Sequence, residues 1–290
     1  MNITEIVFPV DFSARSIDAC PYVAALTRRL KAKLTLLHVI ESLPPGSSPL
    51  DRLYTGDDVE LEQRKEAADR ALRAFQQQFI PHLASDLCVL VGDPAQCIVV
   101  YADKTEGRMI IIPTRGYGPF RRMLLGSVTA KVLHDSKCPV LTAPHLESAV
   151  HTTEFFKLQQ IMAAVSLDWE TDHVLKRSAE IAGQLGAILT AFHAVTPVEE
   201  GLLPLIEPGG PHLSIQSIRN AMQDAVYRTG VLARVCVSVG EVSREVARGA
   251  RAFNADLVVI GRGGAPELPG RLGSHGYAIV RLAPCPVLCV

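Results

Sequence analysis

The feature that most constrains this chain of 290 residues is an internal repeat. Residues 30–40 (LKAKLTLLHVI) align with residues 185–195 (LGAILTAFHAV), and five of the eleven positions are identical. The same register superposes residues 6–11 on residues 161–166. Blocks that recur in one order at one spacing are typical of a duplicated sequence, so the fold has to satisfy the same pattern twice.

A third pair of blocks extends the repeat to the end of each copy. Residues 126–141 align without a gap with residues 273–288, and each block ends in the motif CPVL. We therefore predict two copies of one domain, over residues 1–145 and 155–290. A domain of this length is within the usual size range, and it is long enough to bury a core.

Within each copy, short apolar runs alternate with amphipathic segments. In the first copy the strands are predicted at 6–10, 34–40, 87–91, 109–112 and 140–143, and the helices at 13–30, 59–80, 93–103 and 127–134. Strands that are apolar on both sides and separated by helices indicate a parallel sheet covered on both faces. The predicted fold class is α/β, with two tandem doubly wound, Rossmann-like domains.

The loop after the fourth strand is the candidate ligand site, because open parallel sheets bind ligands at the carboxyl ends of their strands. Its glycines and serine are Gly116, Gly126 and Ser127 in the first copy, and Gly261, Gly264, Gly273 and Ser274 in the second. Glycines allow close approach to a ligand, and free N–H groups at a helix start bind anions. The pattern favours a phosphate-binding loop, with a purely structural turn as the alternative.

Known nucleotide motifs do not describe this loop. It lacks the G-K-[ST] ending of a Walker A loop, and it follows the fourth strand rather than the first. The chain does resemble the universal stress proteins, twice over. The motifs that carry the resemblance are residues 9–13 (PVDFS), 37–39 (LHV) and 138–141 (CPVL), together with residues 116–127, which match the G-x9-G-S part of the family's G-x2-G-x9-G-[S/T] loop.

This resemblance implies an adenine nucleotide hydrolase-like fold, a pseudo-two-fold pair of domains and binding of ATP with Mg²⁺. In nucleotide-binding members the glycine loop wraps the ribose and phosphates, while the positions of Asp11 and Val39 contact adenine. The implied nucleotide site is Pro9, Asp11, Val39, Ile112, Pro113, Arg115, Gly116, Gly126, Ser127 and Val128. A second site is implied at Gly261, Gly264, Gly273 and Ser274.

Both copies depart from the family pattern. In the first, Pro113 replaces the leading glycine and removes one N–H group. In the second, Ser166 stands where the first has Asp11, His275 stands where it has Val128, and Glu267 adds negative charge to the loop. The first copy is therefore expected to hold the more usable site.

Several residues have two interpretations at this point. Asp11 either contacts adenine or caps the following helix. The arginines of the first loop either neutralise phosphate or form a solvated face; they are Arg115, Arg121 and Arg122. The linkers at 41–58 and 196–213 either form lids or are disordered.

Histidines and cysteines are interpreted as core residues. His38 and His193 occupy equivalent strand positions, and no second metal ligand lies at a suitable spacing. Cys138 and Cys285 are expected to be small buried hydrophobic residues rather than redox or metal sites.

Composition narrows the classes of partner and location. A net charge of −1 argues against a nucleic-acid-binding protein, and the longest apolar runs are too short to span a membrane. Residues 1–5 show no secretory signal, and seven cysteines without a CxxC motif fit reduced thiols. We expect a cytoplasmic protein.

The leading functional hypothesis is a non-catalytic stress-response regulator that binds adenine nucleotide and is read by an unknown protein partner. The alternative is a nucleotide-free scaffold or small-ligand-binding protein whose loop motifs are relics. A slow ATPase is the weakest hypothesis, because no residue is arranged as a general base. Self-association of the tandem chain into a homodimer is also expected from the resemblance.

Overall fold

The fold was analysed in a computed structural model, which describes residues 2–41, 57–113, 125–143, 158–196, 215–263 and 272–290. The strands are β1 (Glu5–Pro9), β2 (Lys33–Glu41), β3 (Ser85–Gly92), β4 (Arg108–Pro113), β5 (Val140–Ala143), β6 (Gln160–Ala164), β7 (Ile188–Val195), β8 (Arg234–Val239), β9 (Leu257–Ile260) and β10 (Val287–Cys289). The helices are α1 (Ala14–Leu30), α2 (Asp57–Phe79), α3 (Pro94–Ala102), α4 (Ser127–Asp135), α5 (Thr171–Leu185), α6 (Ile215–Thr229), α7 (Val242–Ala252) and α8 (Ser274–Leu282).

All ten strands form one sheet in the order β3-β2-β1-β4-β5-β10-β9-β6-β7-β8. Strands within each half pair in parallel, whereas β5 and β10 pair antiparallel. The second half repeats the strand order of the first in reverse, as a pseudo-two-fold axis between β5 and β10 requires. The predicted fold class, with two tandem doubly wound parallel sheets, is confirmed.

Alternation along the strands builds a core on each face of the sheet. In β1, Ile6 and Phe8 face one core while Val7 faces the other, and all three are fully buried. Helices α1, α2, α5 and α6 cover the first face; α3, α4, α7 and α8 cover the second. Each core runs continuously from one half into the other, so the halves share their hydrophobic interior.

Helix α3, predicted at 93–103, begins with a side-chain cap and a proline. Asp93 caps α3 by accepting a hydrogen bond from the Gln96 N–H at 2.8 Å, and Pro94 is the first helical residue. Most of each linker, for which the sequence leaves a lid or disorder as interpretations, lies outside the described residues. No helix in the described part of the chain is both long and apolar enough to cross a bilayer.

Side chains reinforce the contact between the halves at β5 and β10. The buried Thr142 hydroxyl lies 3.1 Å from both the N–H and the carbonyl oxygen of Val287. On one face of the sheet, the Arg29 guanidinium donates to the carbonyl of Leu185, at the last residue of α5. On the other face, the Tyr277 hydroxyl donates to the Ala130 carbonyl. The two halves therefore form one continuous structure.

We predict that Thr142→Val lowers the free energy of unfolding by about 1–3 kcal/mol. The substitution keeps the volume of the side chain but leaves the buried Val287 N–H without its hydroxyl partner. Urea unfolding followed by circular dichroism measures the change.

Thr27→Val is the matched control, since Thr27 is equally buried and its hydroxyl bonds only the Val23 carbonyl, one turn earlier in α1. The Val23 carbonyl keeps its helical hydrogen bond when the Thr27 hydroxyl is removed. The control should therefore lower the free energy of unfolding by less than half as much as Thr142→Val. Equal losses in the two variants would contradict the prediction.

Candidate functional site

The predicted nucleotide-site residues of the first half that the structure describes surround one cleft. The cleft has a volume of about 350 Å³ and lies at the carboxyl ends of β1 and β4, where the strand order reverses direction. Eight predicted residues line it: Pro9, Asp11, Val39, Ile112, Pro113, Gly126, Ser127 and Val128. The other two, Arg115 and Gly116, lie outside the described residues, as do Arg121 and Arg122.

Asp11 is held by a tight turn at the end of β1. Its Oδ1 atom accepts hydrogen bonds from the Ser13 N–H at 3.0 Å and from the Ser16 hydroxyl at 2.6 Å. The cap of α1 is Ser13, whose hydroxyl accepts from the Ser16 N–H, so the capping interpretation of Asp11 is wrong. Burial opposes ionisation of the Asp11 carboxyl, but the serine hydrogen bonds outweigh it and lower its pKa.

The backbone of this turn is strained in both halves. Phe12 and its equivalent Leu167 both have φ of 58°, in the left-handed region that side chains other than glycine seldom adopt. The Phe12 ring packs against His38 with centroids 4.6 Å apart. Strain that recurs at the same position of both copies is a feature of the fold, and it directs residue 11 or 166 into its cleft.

The two strand histidines have defined backbone partners, as predicted, but they are half-buried and line the two clefts rather than the core. His38 Nδ1 lies 2.7 Å from the carbonyl oxygen of Val10, and His193 Nδ1 lies 2.8 Å from that of Val165. Each histidine thereby ties β2 or β7 to the end of the neighbouring strand. No group of three or more His, Cys, Asp or Glu side chains converges on a metal-sized space in the described ranges.

Helix α4 begins at the wall of the cleft without a side-chain cap. Its cap residue is Gly126, whereas α3 and α7 have the carboxylates of Asp93 and Glu241 at the same place. The N–H groups of the first turn therefore have no intrahelical acceptor and no capping side chain. Together with the helix dipole they favour an anion at this end of the cleft.

Arg15 also lines this cleft, and the sequence analysis did not select it. It lies in the first turn of α1, and its Nε atom is buried without a hydrogen-bond partner among the residues that the structure describes. A buried donor without an acceptor is unfavourable, so an anionic ligand in the cleft would satisfy it.

The second half has a cleft of about 390 Å³ at the equivalent switch point, which is the place between β6 and β9 where its strand order reverses direction. Gly261, Gly273 and Ser274 line it as predicted, together with Ser166 and His275. Gly264 and Glu267 lie outside the described residues. Helix α8, like α4, begins after a glycine without a side-chain cap.

A carboxylate occupies the glycine loop of this second cleft. The Glu170 side chain is only 9% exposed, and its Oε2 atom accepts a hydrogen bond from the Gly263 N–H at 2.8 Å. Burial raises the pKa of this carboxyl and the nearby Asp168 carboxylate raises it further, whereas Gly263 and Arg262 act in the opposite direction. Glu170 occupies the position that Arg15 has in the first half.

Arg262 lies at the start of the second loop, but its guanidinium points into the first half. The residue is 4% exposed, and it donates hydrogen bonds to the carbonyl oxygens of Leu133 and Cys138. Leu133 lies in the last turn of α4, where a positive charge is favourable to the helix dipole. Thr114, its sequence equivalent in the first half, has no such charge.

The alignment of the two copies already indicated the difference between Arg15 and Glu170. The register that superposes Ile6 on Ile161 also superposes Arg15 on Glu170, a reversal of charge at one position. No sequence pattern indicates the Arg262 contacts, because they join residues that belong to different copies.

Comparison with known proteins agrees with the fold and the repeat. The family model described as "Universal stress protein family" matches residues 2–144 and 157–290. A universal stress protein of Mycobacterium tuberculosis is 25% identical over 303 aligned residues, which cover 98% of this chain and 95% of that protein. A shorter one of Synechocystis is 34% identical over 140 residues, covering 48% of this chain and 84% of that protein.

Solved structures show the same architecture over the full chain. The crystal structure of a universal stress protein from Archaeoglobus fulgidus has a TM-score of 0.65 at 20% identity, covering 99% of this chain and 96% of that one. A putative universal stress protein of Pseudomonas aeruginosa has a TM-score of 0.60 at 19% identity, with coverage of 99% and 93%. At these identities the likeness concerns the fold alone.

The cysteines generate a prediction about reactivity. All seven are free thiols, and burial raises the pKa of Cys138 to about 11 and those of Cys20, Cys285 and Cys289 to about 12. Since the thiolate is the reactive form, we expect iodoacetamide at pH 8 to label the fully buried Cys289 at least about tenfold more slowly than the half-buried Cys97.

Peptide mass spectrometry of the native chain at several labelling times measures both rates, and the urea-unfolded chain is the control in which the two rates converge. Equal rates in the native chain would contradict the packing described for β10.

Proposed function

Because the chain belongs to the universal stress protein family, we propose that its N-terminal half binds ATP in the cleft between β1 and β4. The observation that carries this proposal is that the buried Nε of Arg15 has no partner among the described residues, in a cleft that also contains the uncapped start of α4. These two features supply positive charge and free donors to the same cavity, and a triphosphate matches both.

The phosphate end of the ligand would lie against α4. The first-turn N–H groups and the Ser127 hydroxyl provide donors without charge, and Arg15, which also lines the cleft, provides a charged one. Mg²⁺ would arrive on the phosphates of ATP, where it neutralises part of their charge. Pro113 has no N–H to offer, so this site relies on the helix and on Arg15.

The base end would lie between β1 and β2. Both intramolecular hydrogen bonds of Asp11 use Oδ1, which leaves Oδ2 for an amino donor on the ligand. Val39 and Ile112 provide apolar surface for the ring. The low pKa of Asp11 keeps the carboxyl ionised at neutral pH, so it acts as an acceptor.

In this proposal the protein is a non-catalytic regulator. Binding orders the residues around the cleft, and an unknown protein partner recognises the ATP-bound surface. We place the protein in the cytoplasm, where its seven thiols remain reduced. The expected homodimer of tandem chains would use another surface, because β5 and β10 already pair within the chain; light scattering of the purified chain measures its mass.

A nucleotide-free scaffold is the second candidate, and the proline at position 113 favours it because it removes a backbone donor from the loop. Denaturing the purified protein and chromatographing the released small molecules separates the two. Adenine nucleotide in the supernatant supports the ATP proposal. The slow-ATPase hypothesis would need a separate observation, namely ATP turnover above that of a loop variant.

We predict that Arg15→Ala weakens ATP binding about 10- to 100-fold, as expected for loss of one charged hydrogen bond. Isothermal calorimetry with ATP up to millimolar concentration measures the affinity. Gly126→Val should abolish binding, because the added side chain fills the approach to α4.

Arg28→Ala is the matched control, since it removes the same charge from an exposed position at the far end of α1. Its affinity should stay within about twofold of the wild-type value. Absence of binding heat in the wild-type chain, with no effect of Gly126→Val, would refute the proposal.

A further inference from the structure

The second cleft has the same strand order as the first, but it has a carboxylate, Glu170, at the sequence position where the first has Arg15. In this cleft the Gly263 N–H donates a hydrogen bond to Glu170. Two nitrogens of the Arg262 guanidinium donate to carbonyl oxygens of the first half. The remaining acidic side chain on the lining, Asp168, accepts hydrogen bonds from Ser166 and from the Glu170 N–H. Arg262 also lies on this lining, and its Nε atom, like that of Arg15, is buried without a hydrogen-bond partner among the described residues, whereas its two terminal nitrogens are bonded to the first half.

The Glu170 carboxylate lies within the glycine loop. A Cβ atom added to Gly261 would come within 2.7 Å of Glu170 Oε2, so glycine at this position permits the close approach. Gly263, with φ of 67°, turns its N–H toward the same oxygen. A loop suited to hold an anion thus already holds one that is part of the chain.

This arrangement opposes binding of a phosphate at the same place. A phosphate group would have to displace the hydrogen-bonded carboxylate of Glu170, or lie beside it with like charge. Arg15 attracts an anion at the equivalent position of the first half.

The rest of the second cleft remains suitable for an organic ligand. Its volume of about 390 Å³ is in the range of small-molecule sites. The apolar part of its lining is formed by Phe192, Val242, Val246, Ile260 and Ile279. The Glu170 Oε1 atom is left as a carboxylate acceptor, because the Gly263 hydrogen bond uses Oε2.

We infer that the second cleft binds a nucleoside-like molecule without phosphate, with Glu170 in place of the phosphate and accepting a hydroxyl group of the ligand. A carboxylate acceptor beside apolar walls matches a planar ring that carries sugar hydroxyls. This inference goes beyond the function proposed for the first half, since it assigns the second half a ligand of a different class.

Charge variants test the role of Glu170. Calorimetry with ATP should give one site per wild-type chain and two sites in both Glu170→Arg and Glu170→Ala, because each variant removes the carboxylate and frees the Gly263 N–H. Glu170→Ala keeps the test decisive if the larger arginine disturbs folding, which circular dichroism monitors. The control is Glu180→Ala, which removes one carboxylate from a later turn of the same helix and should leave one site.

The outcomes for the two halves are distinguishable. One ATP site in the wild type and still one in both Glu170 variants would overturn the inference and leave the first-half proposal standing. No site in the wild type but one in Glu170→Ala would support the inference and refute the first-half proposal. Two sites in the wild type would overturn the inference.

Adenosine is the probe for the ligand class. Val242→Trp introduces a large side chain at the edge of the second cleft, and it should remove one adenosine site per chain while the ATP stoichiometry stays unchanged. Leu232→Trp, at a position that is 94% exposed and remote from the cleft, should leave adenosine binding within about twofold of wild type. Absence of adenosine binding, or an isotherm that Val242→Trp does not change, would overturn the inference.

Discussion

The antiparallel pairing of β5 with β10 is the contact on which the rest of the structure depends. Each half alone would end in an exposed strand, and an exposed strand edge tends to pair with other chains. Pairing the two edges joins five strands to five and lets each hydrophobic core continue across the boundary. It also brings α4 beside the loop of the second half, so that Arg262 reaches Leu133 and Cys138.

The two switch points show how little a backbone determines the chemistry of its ligand. Both have a strained residue after the first strand of the half, a histidine bonded to the end of that strand and a helix that starts after glycine. At the start of the following helix the first half has Arg15 where the second has Glu170, and other lining positions differ as well, among them Asp11 and Ser166. A cation at this position in one cleft and a carboxylate in the other favour ligands of different charge.

Much of the fold was predictable from the sequence because apolar runs, caps and a repeat are local signals. The pseudo-two-fold pair of domains follows from the family resemblance, and the eight predicted residues lie around one cleft for the same reason. Arg15 was not predicted as a site residue, because an arginine in the first turn of a helix is usually exposed to solvent. The alignment of the two copies nevertheless pairs Arg15 with Glu170, a residue of opposite charge. Arg262 was not predictable: its partners are distant in sequence, and only the packing of the halves brings them together.

The one-sided contact of Arg262 has a consequence for how such a chain can change over generations. In a symmetric dimer of identical subunits, each mutation appears at both sites simultaneously, and every interface contact occurs twice. Here each position is encoded separately, so an arginine can enter one loop while threonine stays in the other. Because the two halves are linked in one chain, their sequences can diverge. A single gene can therefore encode two sites that specialise independently.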